Sequence, residues 1–117
     1  MSNVKRIHPG KRMSEAVVHN GVAYFSGQVA DDAAQDVEGQ TAQVLAAIDG
    51  LLAEVGSDRT RLLSAQVFLA NISEFAGMNK VWDTWVAQGN PPARATIEAR
   101  LASPDLKVEI MVTAAVD

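Results

Sequence analysis

The stretch ARATIEARLASPDLKVEIMVTAAV, from Ala93 to Val116, decides the fold, because apolar and polar side chains alternate along two parts of it. Alternation with a period of two is typical of β-strands. We therefore predict strands over Ala93–Leu101 and Lys107–Val116, with a connection at Ala102–Asp105. Small and aliphatic residues form one face of each strand, and the other face of the first strand is polar.

That polar face carries Arg94, Thr96, Glu98 and Arg100. If the two strands pair as an antiparallel hairpin, Arg100 lies opposite Lys107 or Glu109. Spacing alone favours a solvent-exposed face with cross-strand ion pairs. This face is nevertheless the one place in the chain where the residue pattern suggests a site.

The rest of the chain supplies two helices and further strands. Asn20-Gly21 between two β-type runs predicts a tight hairpin, and the first eight residues add a short edge strand, turned at Pro9-Gly10. A helical stripe ends at Gly56, and a strand near the centre of the sheet follows over residues 62–69. A second helix begins near Ser73 as N-cap. The stripes of the two helices, which we interpret as core, are Val44, Leu45, Ile48, Leu51, Leu52 and Val55, then Phe75, Met78, Trp82 and Trp85.

This order predicts an α+β fold in one domain spanning residues 1–117, with a mixed β-sheet and both helices on one face. Two helices cannot cover both faces of a sheet of five or more strands. The other face is therefore left bare and needs either water or another subunit.

The composition excludes several classes of site and argues against several partners. The 117 residues include no cysteine, which excludes a disulfide framework, a zinc–cysteine site and a cysteine nucleophile. A formal net charge of −4 and 5% aromatic residues argue against nucleic acid as a partner. No run of about 18 apolar residues is present, so we expect no membrane partner. No signal-peptide pattern is present either, and we expect a cytoplasmic protein.

Several possible sites are weak. The acidic loop with Asp31, Asp32 and Asp36 suits the start of a helix better than a metal site. His8 and His19 lack partners at metal-ligand spacing. Neither a phosphate-binding glycine loop nor a Gly-x-Ser-x-Gly motif is present. The residues alone therefore indicate no reaction.

Four segments in this order resemble the RidA/YjgF family of imine and enamine deaminases. They are Ser26-Gly27-Gln28, Asn79 within the second helix, Pro92-Ala93-Arg94-Ala95-Thr96-Ile97-Glu98, and Lys107-Val108-Glu109-Ile110. The resemblance runs from about residue 15 to the C-terminus. It implies a chorismate-mutase-like fold and a homotrimer whose helix-free sheet faces turn inward, with active sites in the clefts between subunits.

The resemblance also implies a reaction, the hydrolysis of reactive 2-imino or 2-enamino acids, such as 2-iminopropanoate or 2-iminobutanoate, to a 2-keto acid and ammonia. This activity removes damaging metabolites and needs neither a cofactor nor a metal. By position, Arg94 binds the substrate carboxylate, and Glu109 positions or activates the water. Ser26, Gly27, Asn79 and Thr96 shape the substrate-binding pocket.

The chain departs from the family at two site positions. Many members have a Pro-Tyr pair before the first long strand, where this chain has Lys11–Glu15 without a tyrosine. Many have cysteine where this chain has Thr96. These departures leave open a non-catalytic module that binds small carboxylates on the same scaffold. A ribonuclease or translation-inhibitor role, reported for some relatives, ranks last because of the acidic charge.

Overall fold

The computed structural model describes residues 3–117, so the first two residues of the predicted domain lie outside it. The strands are β1 (Lys5–Ile7), β2 (Ala16–His19), β3 (Val22–Phe25), β4 (Leu62–Leu69), β5 (Ala93–Glu98) and β6 (Val108–Ala115). The helices are α1 (Val37–Glu54) and α2 (Phe75–Trp85), and short 3-10 helices cover Arg59–Arg61 and Ile72–Glu74. No helix among the described residues is long and apolar enough to cross a membrane.

The strands form one sheet in the order β1-β2-β3-β6-β4-β5, in which only β4 and β5 run parallel. The predicted N-terminal edge strand and the mixed sheet are confirmed, whereas β4, expected near the centre, lies inside the sheet but only one strand from the β5 edge. Asn20 and Gly21 have φ values of 50° and 79° and form the predicted hairpin turn.

The two C-terminal strands do not form a hairpin, which corrects the pairing considered above. β6 lies between β3 and β4, whereas β5 pairs only with β4 and forms the sheet edge. The reason is the crossover through α2, which returns the chain to the end where β4 began and makes β5 parallel to β4. β6 then occupies the other side of β4. Alternation matches the buried face in β6, but in β5 the apolar residues Ala93, Ala95 and Ile97 are exposed and the polar residues Arg94 and Thr96 are half-buried. Alternation does not record the partner strand either.

The core lies between the two helices and one face of the sheet. In β6, Val108, Ile110, Val112 and Ala114 face the helices, and in β4 Ala65, Val67 and Leu69 do so. The opposite face carries no helix. It exposes several large apolar side chains, among them Tyr24, Ile97 and Met111.

The start of α1 agrees with the prediction, and the N-cap of α2 does not. α1 begins at Val37, with the Asp36 carboxylate accepting a hydrogen bond from the Gly39 amide at 2.8 Å, so the acidic loop caps the helix as expected. The predicted apolar stripe begins only at Val44, because Gln40 and Thr41, both polar, occupy fully buried positions in the turns before it. Ser73 is not the N-cap of α2. It lies inside Ile72–Glu74, and its amide donates to the Asn71 side chain.

Candidate functional site

Arg94 projects from the edge strand β5 towards the sheet side of α2. Residues at positions i, i+3, i+4 and i+7 of a helix share one face, and in α2 these positions hold the four side chains around the guanidinium. Nη1 donates to Asn79 Oδ1 at 2.8 Å, with the Met78 sulfur 4.0 Å away. The guanidinium carbon lies 5.1 Å from the centroid of the Trp82 ring and 5.8 Å from that of Phe75. Arg94 is therefore half-buried between aromatic rings, and the expectation of a solvent-exposed, ion-paired face is wrong for it.

The half-buried guanidinium of Arg94 has no ion-pair partner within residues 3–117. Partial burial lowers the pKa of Arg94 below its usual value, and the charge of Asp83 opposes this shift. An arginine remains protonated at neutral pH under such a shift. Within the described part of the chain Nε and Nη2 have no hydrogen-bond acceptor, so one edge of the guanidinium is available to a ligand.

Thr96 lies two residues along β5, on the same face as Arg94. Its Oγ1 atom is buried and has no hydrogen-bond partner among residues 3–117. Buried hydroxyl groups are usually paired. The unpaired hydroxyl of Thr96, near the Arg94 guanidinium, is placed where a ligand or a water molecule could supply the missing hydrogen bond. Arg94, Asn79 and Thr96 form the first cluster, which we call the arginine cluster.

A second cluster, the glutamate cluster, contains Ser26, Gly27 and Glu109. A Cβ atom on Gly27 would overlap the Glu109 carboxylate, so these two residues are in close contact. Ser26 precedes Gly27, and its hydroxyl is 3.2 Å from the Gln28 side-chain nitrogen. Glu109 is half-buried, and none of the described residues forms an ion pair with it.

The two clusters lie on opposite faces of the sheet. Arg94 is in register with Ala65, which faces the helices, whereas Glu109 is in register with Phe68 and faces away from them. Within one chain, three predicted site residues therefore lie in the arginine cluster and three in the glutamate cluster. Arg94 and Glu109 do not meet within one chain.

The contacts of Arg94 with the Phe75 and Trp82 rings were not predicted from the sequence, where the α2 stripe was interpreted as core. That interpretation is correct for Met78, Trp82 and Trp85, which are buried. Phe75, however, is 42% exposed. The sequence held no separate signal for this contact, because Phe75 continues the same helical stripe as the buried residues and its exposure is visible only in the structure.

A groove of about 410 Å³ crosses the helix-free face between β4, β5 and β6. Ser64, Gln66, Met111 and Thr113 are among the residues that line it, and the hydroxyls of Ser64 and Thr113 are 2.7 Å apart. The bare face that the topology predicts is thus present, partly polar and partly apolar.

Comparison with known proteins gives a consistent family. The family model described as Endoribonuclease L-PSP matches residues 3–116. A RutC family protein of Haemophilus ducreyi is 50% identical over 114 residues, which is 97% of each chain. The RutC family protein YoaB of Escherichia coli K12 is 43% identical over 113 residues, covering 97% of this chain and 98% of its own. A crystal structure of a YjgF family member from Neisseria meningitidis has a TM-score of 0.95 at 45% identity and covers 98% of this chain and 96% of its own.

Proposed function

The chain belongs to the YjgF/RidA family, and from this premise we propose that it is a hydrolytic deaminase of small 2-imino and 2-enamino acids. Water adds to C2 of the C=N bond, the C–N bond of the adduct breaks, and a 2-keto acid and ammonia leave. No oxidant or reductant is required. The names of the relatives do not specify this reaction, so the proposal rests on the chemistry of the two clusters.

The observation that carries the proposal is the free edge of Arg94. Its planar fork can form two parallel charge-assisted hydrogen bonds to a carboxylate. A substrate held in this way has its C2 atom in a fixed position, which favours attack by water. The unpaired hydroxyl of Thr96 lies on the same face and supports the same binding position.

Glu109 is the group proposed to act on water. A carboxylate without an ion-pair partner among residues 3–117 can accept a proton from water as it attacks, then return that proton to the departing nitrogen. Gly27 supports this role because the absence of a side chain lets Glu109 lie against the backbone.

The separation of the clusters supports a site shared between chains. We propose a homotrimer in which Arg94 of one chain meets Glu109 of a neighbour. Each chain has one arginine cluster and one glutamate cluster, so a closed ring of three would hold three sites. Light scattering should give about 37 kDa, three chains of 12.4 kDa. A stable monomer would contradict this assembly.

A coupled assay tests the activity. An amino-acid oxidase generates the imine, and 2-keto acid release is measured with and without the protein. Arg94→Ala should lower the rate constant kcat/KM about 100-fold or more, because two hydrogen bonds to a charged group are lost. Arg6→Ala, on the opposite edge strand and exposed, is the matched control. Equal keto acid release in buffer and with the protein would overturn the proposal.

Mixing two inactive variants tests the shared site. Chains carrying Arg94→Ala and chains carrying Glu109→Ala should be unfolded together, refolded and assayed. If each site takes Arg94 and Glu109 from different chains, random mixing restores both residues in about a quarter of the sites. Activity near that fraction of wild type is expected. No recovery in refolded mixed trimers would place both residues in the site of one chain.

The second candidate function is a non-catalytic module that binds small carboxylates. The observation that favours it is that the arginine cluster is complete within one chain, whereas Glu109 is not part of it. Calorimetry with 2-oxobutanoate distinguishes the two functions. Binding that depends on Arg94, without turnover of any imine tested, would favour the binding module.

A further inference from the structure

We propose that Trp82 and Phe75 are positioning residues that hold the guanidinium of Arg94 by cation–π contact and leave one edge of N–H donors free for a carboxylate. The inference rests on the proposed function only in assigning that edge to the substrate. The starting observation is that an arginine, whose side chain has many rotamers, is held here by a single short hydrogen bond, from Nη1 to Asn79.

The geometry of a guanidinium explains why rings suit this task. Its N–H donors all lie in the plane of the group, whereas an aromatic ring attracts the cation through its face. A carboxylate in the protein would compete with the substrate for the in-plane donors. Two rings at 5.1 and 5.8 Å retain the cation without using those donors.

Trp82 is itself fixed, as a positioning residue must be. It is 5% exposed, and its ring centroid lies 5.5 Å from that of Trp85, with the two planes tilted by 48°. Trp85 donates its indole N–H to Asp49 of α1 at 3.0 Å, and Arg59 lies over the same ring. The platform under Arg94 is thereby anchored to α1.

Phe75 differs because it is exposed and begins α2. Its ring is farther from the guanidinium than that of Trp82, so we expect it to contribute less. Its exposure makes Phe75→Leu a variant that should fold even if a change at the buried Trp82 prevents folding.

The experiment measures ligand binding and turnover in four variants. Trp82→Leu should raise both Kd for 2-oxobutanoate and KM for the imine about tenfold, with kcat nearly unchanged. Phe75→Leu should raise them about threefold, and Trp82→Phe should retain most of the affinity. Leu51→Ala is the control for a comparable loss of buried side chain elsewhere in the core: Leu51 lies in α1, is 7% exposed and takes no part in the ring contacts to Arg94, so KM should stay at the wild-type value.

A measurement without ligand separates this inference from the proposed function. In a nitrogen-15 NMR spectrum, the Nε–H resonance of Arg94, assigned with Arg94→Lys, should be displaced by ring currents. It should move towards the position of a free arginine in Trp82→Leu or, if that variant does not fold, partly so in Phe75→Leu. Wild-type protein without turnover would refute the deaminase and leave this result unaffected. A resonance that does not move, or a loss of kcat with KM unchanged, would overturn the positioning role.

Discussion

Gln40 offers the sharpest test of how this fold is held together. Its side chain is fully buried in α1 and connects the loop before the helix to the segment that leads into β6. The side-chain oxygen accepts from the Lys107 amide at 2.9 Å. The two hydrogens of the side-chain nitrogen are shared among three backbone carbonyls, those of Ala33 at 3.1 Å, Gln35 at 3.1 Å and Asp105 at 3.0 Å.

We predict that Gln40→Leu lowers the free energy of unfolding by about 3–5 kcal/mol. An unpaired buried amide at Lys107 costs about 1–3 kcal/mol, and each lost bond to a carbonyl costs about 1 kcal/mol. Burial of the leucine side chain offsets part of that total. A loss of this size is a large fraction of the stability of a small domain.

Gln40→Glu adds a signature that cavity effects cannot mimic. A carboxylate would face three carbonyl oxygens without a cation, so its pKa in the folded protein would rise above the usual value of about 4.3. A raised folded pKa means that stability is retained below the unfolded pKa and lost as the pH rises through the folded one. The variant should therefore be less stable at pH 8 than at pH 5, relative to wild type.

Urea unfolding at one fixed protomer concentration measures both variants, since assembly makes stability concentration-dependent. Gln43→Leu is the control. Gln43 lies one turn along α1 and binds both backbone groups of Asp32 at the surface. It should cost no more than about 1 kcal/mol. Equal losses at the two positions, or a Gln40→Glu variant whose stability does not depend on pH, would refute the assigned role of the buried glutamine.

Three further predictions follow from local geometry. Gly27→Ala should reduce deaminase activity in the coupled assay with little change in the urea midpoint, because the added methyl group displaces the flexible Glu109 side chain; an equal loss of stability would contradict this. Gly50→Ala, whose Cβ position has open space around it, should stabilise the protein by about 0.5–1 kcal/mol. Gly77→Ala should destabilise it by about 1–3 kcal/mol, because the new Cβ atom would lie 2.8 Å from a side-chain carbon of Val37 in α1. Thermal unfolding shows whether each variant is more or less stable than wild type. Partial burial would raise the pKa of Asp49, but hydrogen bonds from Arg59 and Trp85 and the charge of Arg59 outweigh this effect and lower the pKa. Wild type should therefore lose stability relative to Asp49→Asn as the pH falls below about 4. Stability curves of the two proteins that stay parallel over this pH range would contradict the prediction.

The sequence predicted most of the fold because burial is periodic in it. The alternation in β6 and the stripe ending at Gly56 match the observed elements, and the Asn20-Gly21 turn has the expected backbone angles. Two features escaped. Strand partners are chosen by crossovers and chain direction, which alternation does not encode. The burial of Gln40 was not predicted, because two of its partners are backbone groups far along the chain.

The structure brings some of the predicted site residues into contact and separates others. Arg94, Asn79 and Thr96 do share one face, and Gly27 does contact Glu109. The sequence could not show that these sets lie on opposite faces, because the polar face of β5, which carries Arg94 and Thr96, is the face turned to the helices, whereas in β6 the apolar face is. Nor could a stripe of apolar residues show that Trp82 packs against a cation instead of another apolar side chain.

The corrected strand order favours the shared site proposed above. A sheet separates the side chains on its two faces by its own thickness, so no rotamer change within one chain can bring Arg94 to Glu109. The two meet only if the outer edge of one sheet approaches the helix-free face of another. β5 is an edge strand, and β6, beside β4 in the interior of the sheet, carries Glu109 on that bare face. The topology thus places Arg94 on an edge strand and Glu109 on the sheet face without helices. Assembly of identical chains could bring an Arg94 and a Glu109 from different chains together.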